Sequence, residues 1–172
     1  MKKIVYIDMD GVVADFNGFV NPHLPEKYRN RLDDLTGEEH KEVSDIIDDI
    51  MYKYPFIFEQ LDLIEDAYDS VMYLRDNFDA YFLSTPVHKL PESYASKRIW
   101  IKDKFGDWAD KRLILTHRKD LCIGDYLIDD RLKNGSENFK GIHLHFGKVS
   151  PFYGSLRNWK DVIDVIKRRE MI

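Results

Sequence analysis

The chain begins with an apolar run that leads directly into two aspartates and a glycine. Residues 4–7 are all β-branched or aromatic, which is typical of a buried strand. The run is followed at once by Asp8, Asp10 and Gly11, and a glycine permits the sharp turn that ends a strand. On extended backbone, side chains two residues apart point the same way. The sequence therefore predicts a strand that delivers two carboxylates to a tight loop.

Two carboxylates held this closely repel each other unless a cation or a shared proton compensates their charge. The spacing of Asp8 and Asp10 thus indicates a hard divalent metal, acid/base catalysis, or both. A turn that merely uses aspartates is the plain alternative, because aspartate is a common turn former. Polar residues at the ends of other strands would favour the functional reading.

Four further segments have strand character, and helical patterns separate them. The strand segments are 79–83, 112–116, 126–128 and 142–146. The helical patterns include one that follows a capping box at Thr36, one with Pro91 near its start, and one that Asn158 can cap. Strands that alternate with helices predict βαβ crossovers and a mostly parallel sheet. The expected fold class is therefore α/β.

Polar side chains follow three of these strands at corresponding places. They are Asp8 and Asp10, Ser84 and Thr85, and Asp129 and Asp130. In an open parallel sheet, ligands bind at the carboxyl ends of the strands near the switch point. Lys97 lies on the inward stripe of a helix, where a lone ammonium needs a partner. Acids for Mg²⁺, with hydroxyls and an ammonium for phosphate oxygens, are the groups that phosphoryl transfer needs.

Composition excludes several classes of protein. The 172 residues suit one domain with an inserted subdomain, and the net charge of -5 gives no basic surface for polymeric nucleic acid. The single cysteine, Cys122, cannot form an intramolecular disulfide and is interpreted as a packed thiol. The strand starts at residue 4, which leaves no room for a signal peptide, and no apolar run has transmembrane length. We expect a cytoplasmic protein without a membrane partner.

Two other patterns are interpreted as structural. His143 and His145 would share one face of the fifth strand, as a two-histidine metal site requires, but no third ligand has an obvious place. The acids of the helix that follows Thr36 form its solvated face in the simplest interpretation.

The polar residues at the strand ends, together with Lys97, resemble the motifs of the haloacid dehalogenase (HAD) superfamily of aspartate-dependent phosphatases. The four motifs of that superfamily are similar, in chain order, to Asp8 with Asp10, Ser84, Lys97, and Asp129 with Asp130. Within the superfamily the chain is most similar to the cytosolic and mitochondrial 5′(3′)-deoxyribonucleotidases. The stretches that carry this resemblance are 8–16, 55–58, 123–130 and 158–159.

The resemblance implies a two-step mechanism. Asp8 would be the nucleophile that forms an aspartyl-phosphate, and Asp10 would protonate the leaving oxygen and then activate water. Mg²⁺ would be held by Asp8, Asp129 and the carbonyl of Asp10, with Asp130 in support.

The resemblance also implies a substrate pocket. Ser84 and Thr85 would donate to phosphate oxygens, and Lys97 would balance the charge of nucleophile and phosphate. The aromatic residues Phe16, Phe56 and Phe58 would form an apolar wall around sugar and base. Packing in the hydrophobic core is the alternative role for each of them. Arg118 is expected among the substrate contacts.

Two residues depart from the mammalian pattern of this pocket. His117 stands where those enzymes have an arginine after the third strand, and Ile57 stands where they have a tryptophan. Both changes affect substrate recognition and leave the chemistry alone.

The implied architecture is a Rossmann-like parallel sheet flanked by helices, with a small helical cap inserted after the first strand. The core would comprise residues 1–16 and 76–172, and the cap residues 17–75. The expected substrate is a small phosphomonoester, a deoxyribonucleoside monophosphate.

Two alternatives remain open: a phosphatase for another small phosphorylated metabolite, and a non-catalytic phosphate-binding or partner-binding module. Binding alone would not need Asp10 beside Asp8, which argues against the second. The preferred base, the position of the phosphate and the oligomeric state, including a homodimer, stay undetermined.

Overall fold

The computed structural model describes residues 2–171, and its centre is a five-stranded parallel sheet. The strands are β1 (Ile4–Ile7), β2 (Asp79–Ser84), β3 (Leu113–Leu115), β4 (Tyr126–Asp129) and β5 (Ile142–His145). They are arranged in the order β3-β2-β1-β4-β5, and each neighbouring pair is parallel. The predicted α/β class is confirmed, and the predicted strands differ from the observed ones by at most one residue at either end.

α-Helices lie between β1 and β2, between β2 and β3, and after β5, whereas a 3₁₀ turn lies in each of the connections from β3 to β4 and from β4 to β5. The α-helices are α1 (Phe16–Val20), α2 (Gly37–Lys53), α3 (Ala67–Asn77), α4 (Glu92–Phe105) and α5 (Trp159–Glu170), and a hairpin of β6 (Lys148–Ser150) and β7 (Gly154–Leu156) precedes α5. Asn158 caps α5 as predicted, because its side chain accepts a hydrogen bond from the Asp161 N–H. Thr36 is the N-cap of α2, but its side chain makes no capping hydrogen bond.

The strand order places the polar strand ends beside one another. β1 lies between β2 and β4, and the order reverses at β1, since the chain continues to β2 and β3 on one side and to β4 and β5 on the other. Ile7 pairs with Phe82 in β2 and with Ile128 in β4. Asp8 is therefore level with Asp129, at the position where open α/β sheets bind ligands.

Two fully buried tryptophans tie loops near the sheet to the helices. The Trp159 indole in α5 donates to the carbonyl of Val12, and the Trp100 indole in α4 donates to the carbonyl of Leu61, both at 2.8 Å. A buried N–H needs a partner, so each bond satisfies the indole and fixes the main chain that it contacts.

The segment between β1 and β2 combines helices with loops. Besides α1, α2 and α3 it contains four 3₁₀ turns, at Asn21–His23, Glu26–Tyr28, Leu32–Asp34 and Ile57–Gln60. Within this segment α3 contacts α5 and β2. The division into a core and a cap of residues 17–75 stays a prediction. Among residues 2–171, none of the helices has both the length and the apolar character that crossing a bilayer requires.

Candidate active site

The loop after β1 is wound tightly around one carbonyl. The carbonyl of Met9 accepts hydrogen bonds from the N–H groups of Val12, Val13 and Ala14 at 2.9–3.1 Å. Gly11 has a φ of 76°, a conformation that side chains with a Cβ rarely adopt. The loop holds Asp8 and Asp10 at the end of β1, and Asp8 is buried.

Three carboxylates converge at the ends of β1 and β4. Asp8, Asp129 and Asp130 each contribute an oxygen to a cluster whose members lie within 4.8 Å of one another. Burial, together with the charge of Asp8, raises the pKa of Asp129 to about 6 and that of Asp130 to about 7. Oδ1 of Asp130 is buried and has no hydrogen-bond partner within the described part of the chain. These residues therefore fit a hard divalent cation, which would relieve the repulsion and supply the missing partner.

Lys119 lies inside this cluster. Its Nζ is 2.9 Å from Oδ1 of Asp8 and 2.6 Å from Oδ2 of Asp129, and the side chain is buried. Burial alone would lower the pKa of the ammonium, but the charges of Asp8 and Asp129 outweigh that effect and raise it. The lysine therefore stays protonated and offsets part of the negative charge.

Sequence reasoning missed Lys119. The residue belongs to a short 3₁₀ turn, Lys119–Leu121, whose pattern does not reveal which side chain points inward. One signal could have found it: it lies in the loop after β3, and polar residues after the other strands had already indicated the site.

Lys97 lies inside the protein, as its place on α4 predicts. It is fully buried, its ammonium forms an ion pair with Asp10, and its Nζ is 3.2 Å from Oγ of Ser84. The ammonium also lies over the ring of Phe58, 4.3 Å from the centroid. Oδ1 of Asp10 is buried and, among residues 2–171, has no hydrogen-bond partner. Asp10 is thus fixed through one oxygen while the other is left for a substrate or a proton.

A cavity of about 900 Å³ lies against these groups. Its charged and hydroxyl lining comprises Asp8, Asp10, Ser44, Asp48, Ser84, Thr85, Lys119, Asp129, Asp130, Arg131 and Lys133. Phe16 and Phe58 line it as a stacked pair, with ring centroids 5.9 Å apart. Val43, Ile47 and Met51 of α2 add further apolar surface. The cavity therefore combines an ionic part with an apolar wall.

Three residues expected to contact the substrate do not line the cavity: Lys97, Phe56 and Arg118. Lys97, expected beside the nucleophile, pairs with Asp10 instead, and Lys119 makes the contact with Asp8. Phe56 is 51% exposed, because Ile57 and Phe58 of the following 3₁₀ turn are the residues that pack inward. Arg118 is exposed and forms a two-pronged ion pair with Asp120, at 2.6 and 2.8 Å.

Two histidines in contact with each other belong to the cavity lining. They are His88 and His117, and their rings meet edge to face with centroids 6.0 Å apart. The hydroxyl of Thr85 donates to the carbonyl of Thr116 at 2.9 Å. This bond ties the end of β2 to the end of β3.

The two histidines of β5 contact the acidic loop through its main chain. Nε2 of His143 lies 3.2 Å from the carbonyl of Asp129, and Nε2 of His145 lies 2.8 Å from the carbonyl of Asp130. Burial lowers the pKa of His143, which therefore stays neutral near pH 7. The contacts agree with the structural interpretation of this pair.

The sequence matches a known family over nearly its whole length. The family described as "5′ nucleotidase, deoxy (Pyrimidine), cytosolic type C protein" matches residues 2–171. A protein of Vibrio phage KVP40 named as a candidate 5′(3′)-deoxyribonucleotidase is 40% identical over 149 residues, which cover 85% of this chain and 76% of the relative. The human 5′(3′)-deoxyribonucleotidase, cytosolic type, is 32% identical over 142 residues, covering 74% of this chain and 70% of the relative.

A solved structure supports the fold independently. The candidate HAD-hydrolase YfnB from Bacillus subtilis, solved with bound magnesium, superposes with a TM-score of 0.54. The superposition covers 96% of this chain and 98% of that protein, at 14% sequence identity. The likeness at this identity concerns the fold alone.

Proposed function

The chain belongs to the 5′(3′)-deoxyribonucleotidase family, which consists of phosphoric monoester hydrolases of the HAD superfamily, and we propose that it hydrolyses deoxyribonucleoside monophosphates. The observation that carries this proposal is the pairing of each loop aspartate with its own buried lysine, Asp8 with Lys119 and Asp10 with Lys97, beside a cavity with an aromatic wall. The products would be a deoxynucleoside and phosphate.

Asp8 is the proposed nucleophile. Its carboxylate attacks the phosphorus atom, a P–O bond to Asp8 forms, and the bond to the leaving oxygen of the nucleoside breaks. Lys119 supports this step because its ammonium lies 2.9 Å from Asp8 and can offset the charge that gathers around the phosphoryl group. The product of the step is an aspartyl-phosphate.

Asp10 is the proposed acid and base. It gives its proton to the leaving oxygen in the first step, and it takes a proton from the water that attacks the phosphorus in the second. The bond between phosphorus and Asp8 then breaks, and phosphate leaves. The ion pair with Lys97 fixes one oxygen of Asp10, so the buried Oδ1 is the atom that we assign to proton transfer.

Ser84 and Thr85 are the proposed donors to phosphate oxygens. Ser84 lines the cavity, and its hydroxyl accepts a hydrogen bond from Nζ of Lys97 at 3.2 Å, so its own hydrogen is left for a phosphate oxygen. The hydroxyl of Thr85 must leave the carbonyl of Thr116 before it can donate to phosphate.

We further propose that Asp8, Asp129 and the carbonyl of Asp10 bind Mg²⁺, with Asp130 beside them. When bound, the ion would neutralise negative charge and orient the phosphate. The crowded carboxylates and the partnerless oxygen of Asp130 support this assignment.

Residues 17–75 are the proposed cap, and α2 is the helix of this segment that lines the cavity. We also propose that the protein is located in the cytoplasm.

Two substitutions test the chemistry. Asp8→Asn removes the attacking charge at nearly constant volume, so we expect no measurable phosphate release from a protein with unchanged circular dichroism. Asp10→Asn should still expel an aryl oxyanion, which needs little protonation, and then accumulate a labelled covalent adduct. Near-normal release by Asp8→Asn would remove it as nucleophile, and normal turnover of both aryl and alkyl phosphates by Asp10→Asn would remove the acid/base role.

The substrate class needs a separate experiment. Wild-type protein with Mg²⁺ should release phosphate from deoxyribonucleoside monophosphates more efficiently than from sugar phosphates of similar size. Efficient sugar-phosphate hydrolysis without nucleotidase activity would favour a general metabolite phosphatase instead.

A further inference from the structure

Two imidazoles tie the acidic loop after β4 to β5. Nε2 of His143 lies 3.2 Å from the carbonyl of Asp129, and Nε2 of His145 lies 2.8 Å from that of Asp130. A carbonyl oxygen can only accept a hydrogen bond, so Nε2 carries the hydrogen in both rings. The two rings also pack on each other, with centroids 5.6 Å apart. Both histidines therefore act as donors to the main chain of the loop.

The two carbonyls differ in what else binds them. The carbonyl of Asp129 also accepts a hydrogen bond from the Phe146 N–H at 3.0 Å, which belongs to the pairing of β4 with β5. For the carbonyl of Asp130, His145 is the one donor found in the part of the chain that the structure describes. Loss of His143 would leave the Asp129 carbonyl paired, whereas loss of His145 would free the Asp130 carbonyl.

The main chain at Asp130 decides where its carboxylate points. A Cβ on Gly11 would lie 2.4 Å from Oδ2 of Asp130, so this carboxylate lies directly over the glycine. Its other oxygen, Oδ1, is buried without a protein partner within residues 2–171. Oδ2 also lies 3.6 Å from Nε of Arg131, the next residue along the same loop. The carboxylate is therefore held between this loop and Gly11 and has little freedom to compensate if its own backbone rotates.

We propose that His145 is a positioning residue for the metal site: its Nε2–H holds the Asp130 carbonyl, which keeps the Asp130 carboxylate directed toward Asp8 and Asp129. This inference rests on the proposed function, which assigns Mg²⁺ to the same cluster. Residues that hydrogen-bond to metal ligands fix the orientation of those ligands, and their replacement weakens metal binding. His145 is also among the residues that line the cavity, but in this role it acts through the carbonyl of Asp130.

The test is calorimetric titration of Mg²⁺ into protein without substrate. His145→Leu removes the donor at similar size, and we expect Mg²⁺ to bind about 10–100-fold more weakly. His145→Gln offers an amide N–H at the corresponding place, so its Mg²⁺ affinity should stay within about fivefold of wild type. His143→Leu is the matched control, because the Phe146 N–H still holds the Asp129 carbonyl, and its affinity should be unchanged. The kcat of His145→Leu at saturating Mg²⁺ should recover to nearly the wild-type value.

Several outcomes would overturn the role of His145. They are an unchanged Mg²⁺ affinity in His145→Leu, an equal loss in His145→Gln, and an equal loss in His143→Leu. If His145→Leu does not fold, His145→Asn replaces it, since that amide is too short to reach the carbonyl and should show the same loss. Wild-type protein that binds no Mg²⁺ would instead refute the proposed metal site, so the two failures are distinguishable.

Discussion

Lys119 and Lys97 form ion pairs with different aspartates of the site. Lys119 contacts Asp8 and Asp129, and Lys97 contacts Asp10. Both lysines are buried, and a buried ammonium is stable only with such partners. We therefore expect Lys119 to influence attack on phosphorus and Lys97 to influence proton transfer.

Replacing Lys119 with methionine keeps the volume and removes the ammonium. We expect kcat at saturating Mg²⁺ to fall about 10²–10³-fold, the usual effect of losing one group that stabilises transition-state charge. The free energy of unfolding in EDTA should fall by about 3–5 kcal/mol, because Asp8 and Asp129 are left buried together. Phosphate release and urea unfolding measure the two effects.

The exposed Lys140 provides the control. Lys140→Met should change neither quantity. A Lys119→Met protein with wild-type kcat would contradict the role of the lysine in the reaction.

The acids of this site could be predicted from sequence, and Lys119 could not. Asp8, Asp129 and Asp130 follow apolar strands, and the end of a strand is readable from composition. The inward direction of Lys119, beside an outward Arg118, is set by a 3₁₀ turn that has no hydrophobic period. Only the tertiary contact with the acids distinguishes the two basic residues.

Gly11 is the point where the loop after β1 meets the loop after β4. Its positive φ and its contact with the Asp130 carboxylate impose two separate requirements at one position. A side chain there would strain the backbone and displace the carboxylate. The loop can therefore carry this acid cluster only with glycine at position 11.

Gly11→Ala should lose metal binding as well as stability. We expect backbone strain of about 1–2 kcal/mol from the left-handed conformation, and in addition weaker Mg²⁺ binding because the new methyl group displaces Asp130. Gly147→Ala is the matched control, since Gly147 has a φ of 79° and open space where a Cβ would lie. It should show a similar loss of stability in thermal unfolding and an unchanged Mg²⁺ affinity. Equal Mg²⁺ affinity in both variants would show that Asp130 can move away without consequence.

The elements themselves were more predictable than the directions of their side chains. The strands are apolar because the sheet is buried, and α2 shows the helical period of a half-buried helix. Within 55–58, however, the sequence does not reveal which aromatic residue faces the cavity. The 3₁₀ turn Ile57–Gln60 buries Phe58 and leaves Phe56 half exposed, and such a turn has no sequence period of its own.

The cavity draws its ionic part from the sheet and much of its apolar wall from the segment between β1 and β2. A ribose 2′-hydroxyl placed beside Phe16 and Phe58 would be desolvated without a partner, which costs about 1–3 kcal/mol. We therefore expect kcat/KM for dUMP and dGMP to exceed that for UMP and GMP by roughly ten- to a hundredfold. Phe16→Ala should reduce this preference. Equal values for deoxy and ribo substrates would contradict it.

The acid cluster should make stability depend on pH in metal-free protein. The folded pKa of Asp130, about 7, lies above the ordinary value of about 3.9. The folded state then binds the proton more tightly than the unfolded state, so this contribution to stability is complete below pH 4 and is lost as pH rises through 7. We expect the Tm in EDTA to fall by about 5 °C or more between pH 5 and pH 8.

Added Mg²⁺ should raise the Tm more at pH 8 than at pH 5, because the ion requires ionised carboxylates. Asp130→Asn cannot titrate at this position and should have a flatter pH profile in EDTA. An unchanged profile in that variant would assign the pH dependence to other groups.

The hydrogen bond from Trp159 to the carbonyl of Val12 joins positions 147 residues apart in the chain. The loop that carries Asp10 is synthesised long before the indole that fixes it, because 147 residues separate Val12 from Trp159. A nascent chain therefore has the proposed nucleophile and the proposed acid long before it has the contact that holds their loop in place. Catalytic competence should appear only after α5 has been released and has docked, so chains that stop before Trp159 would carry every acid of the site and yet be unable to turn over a substrate.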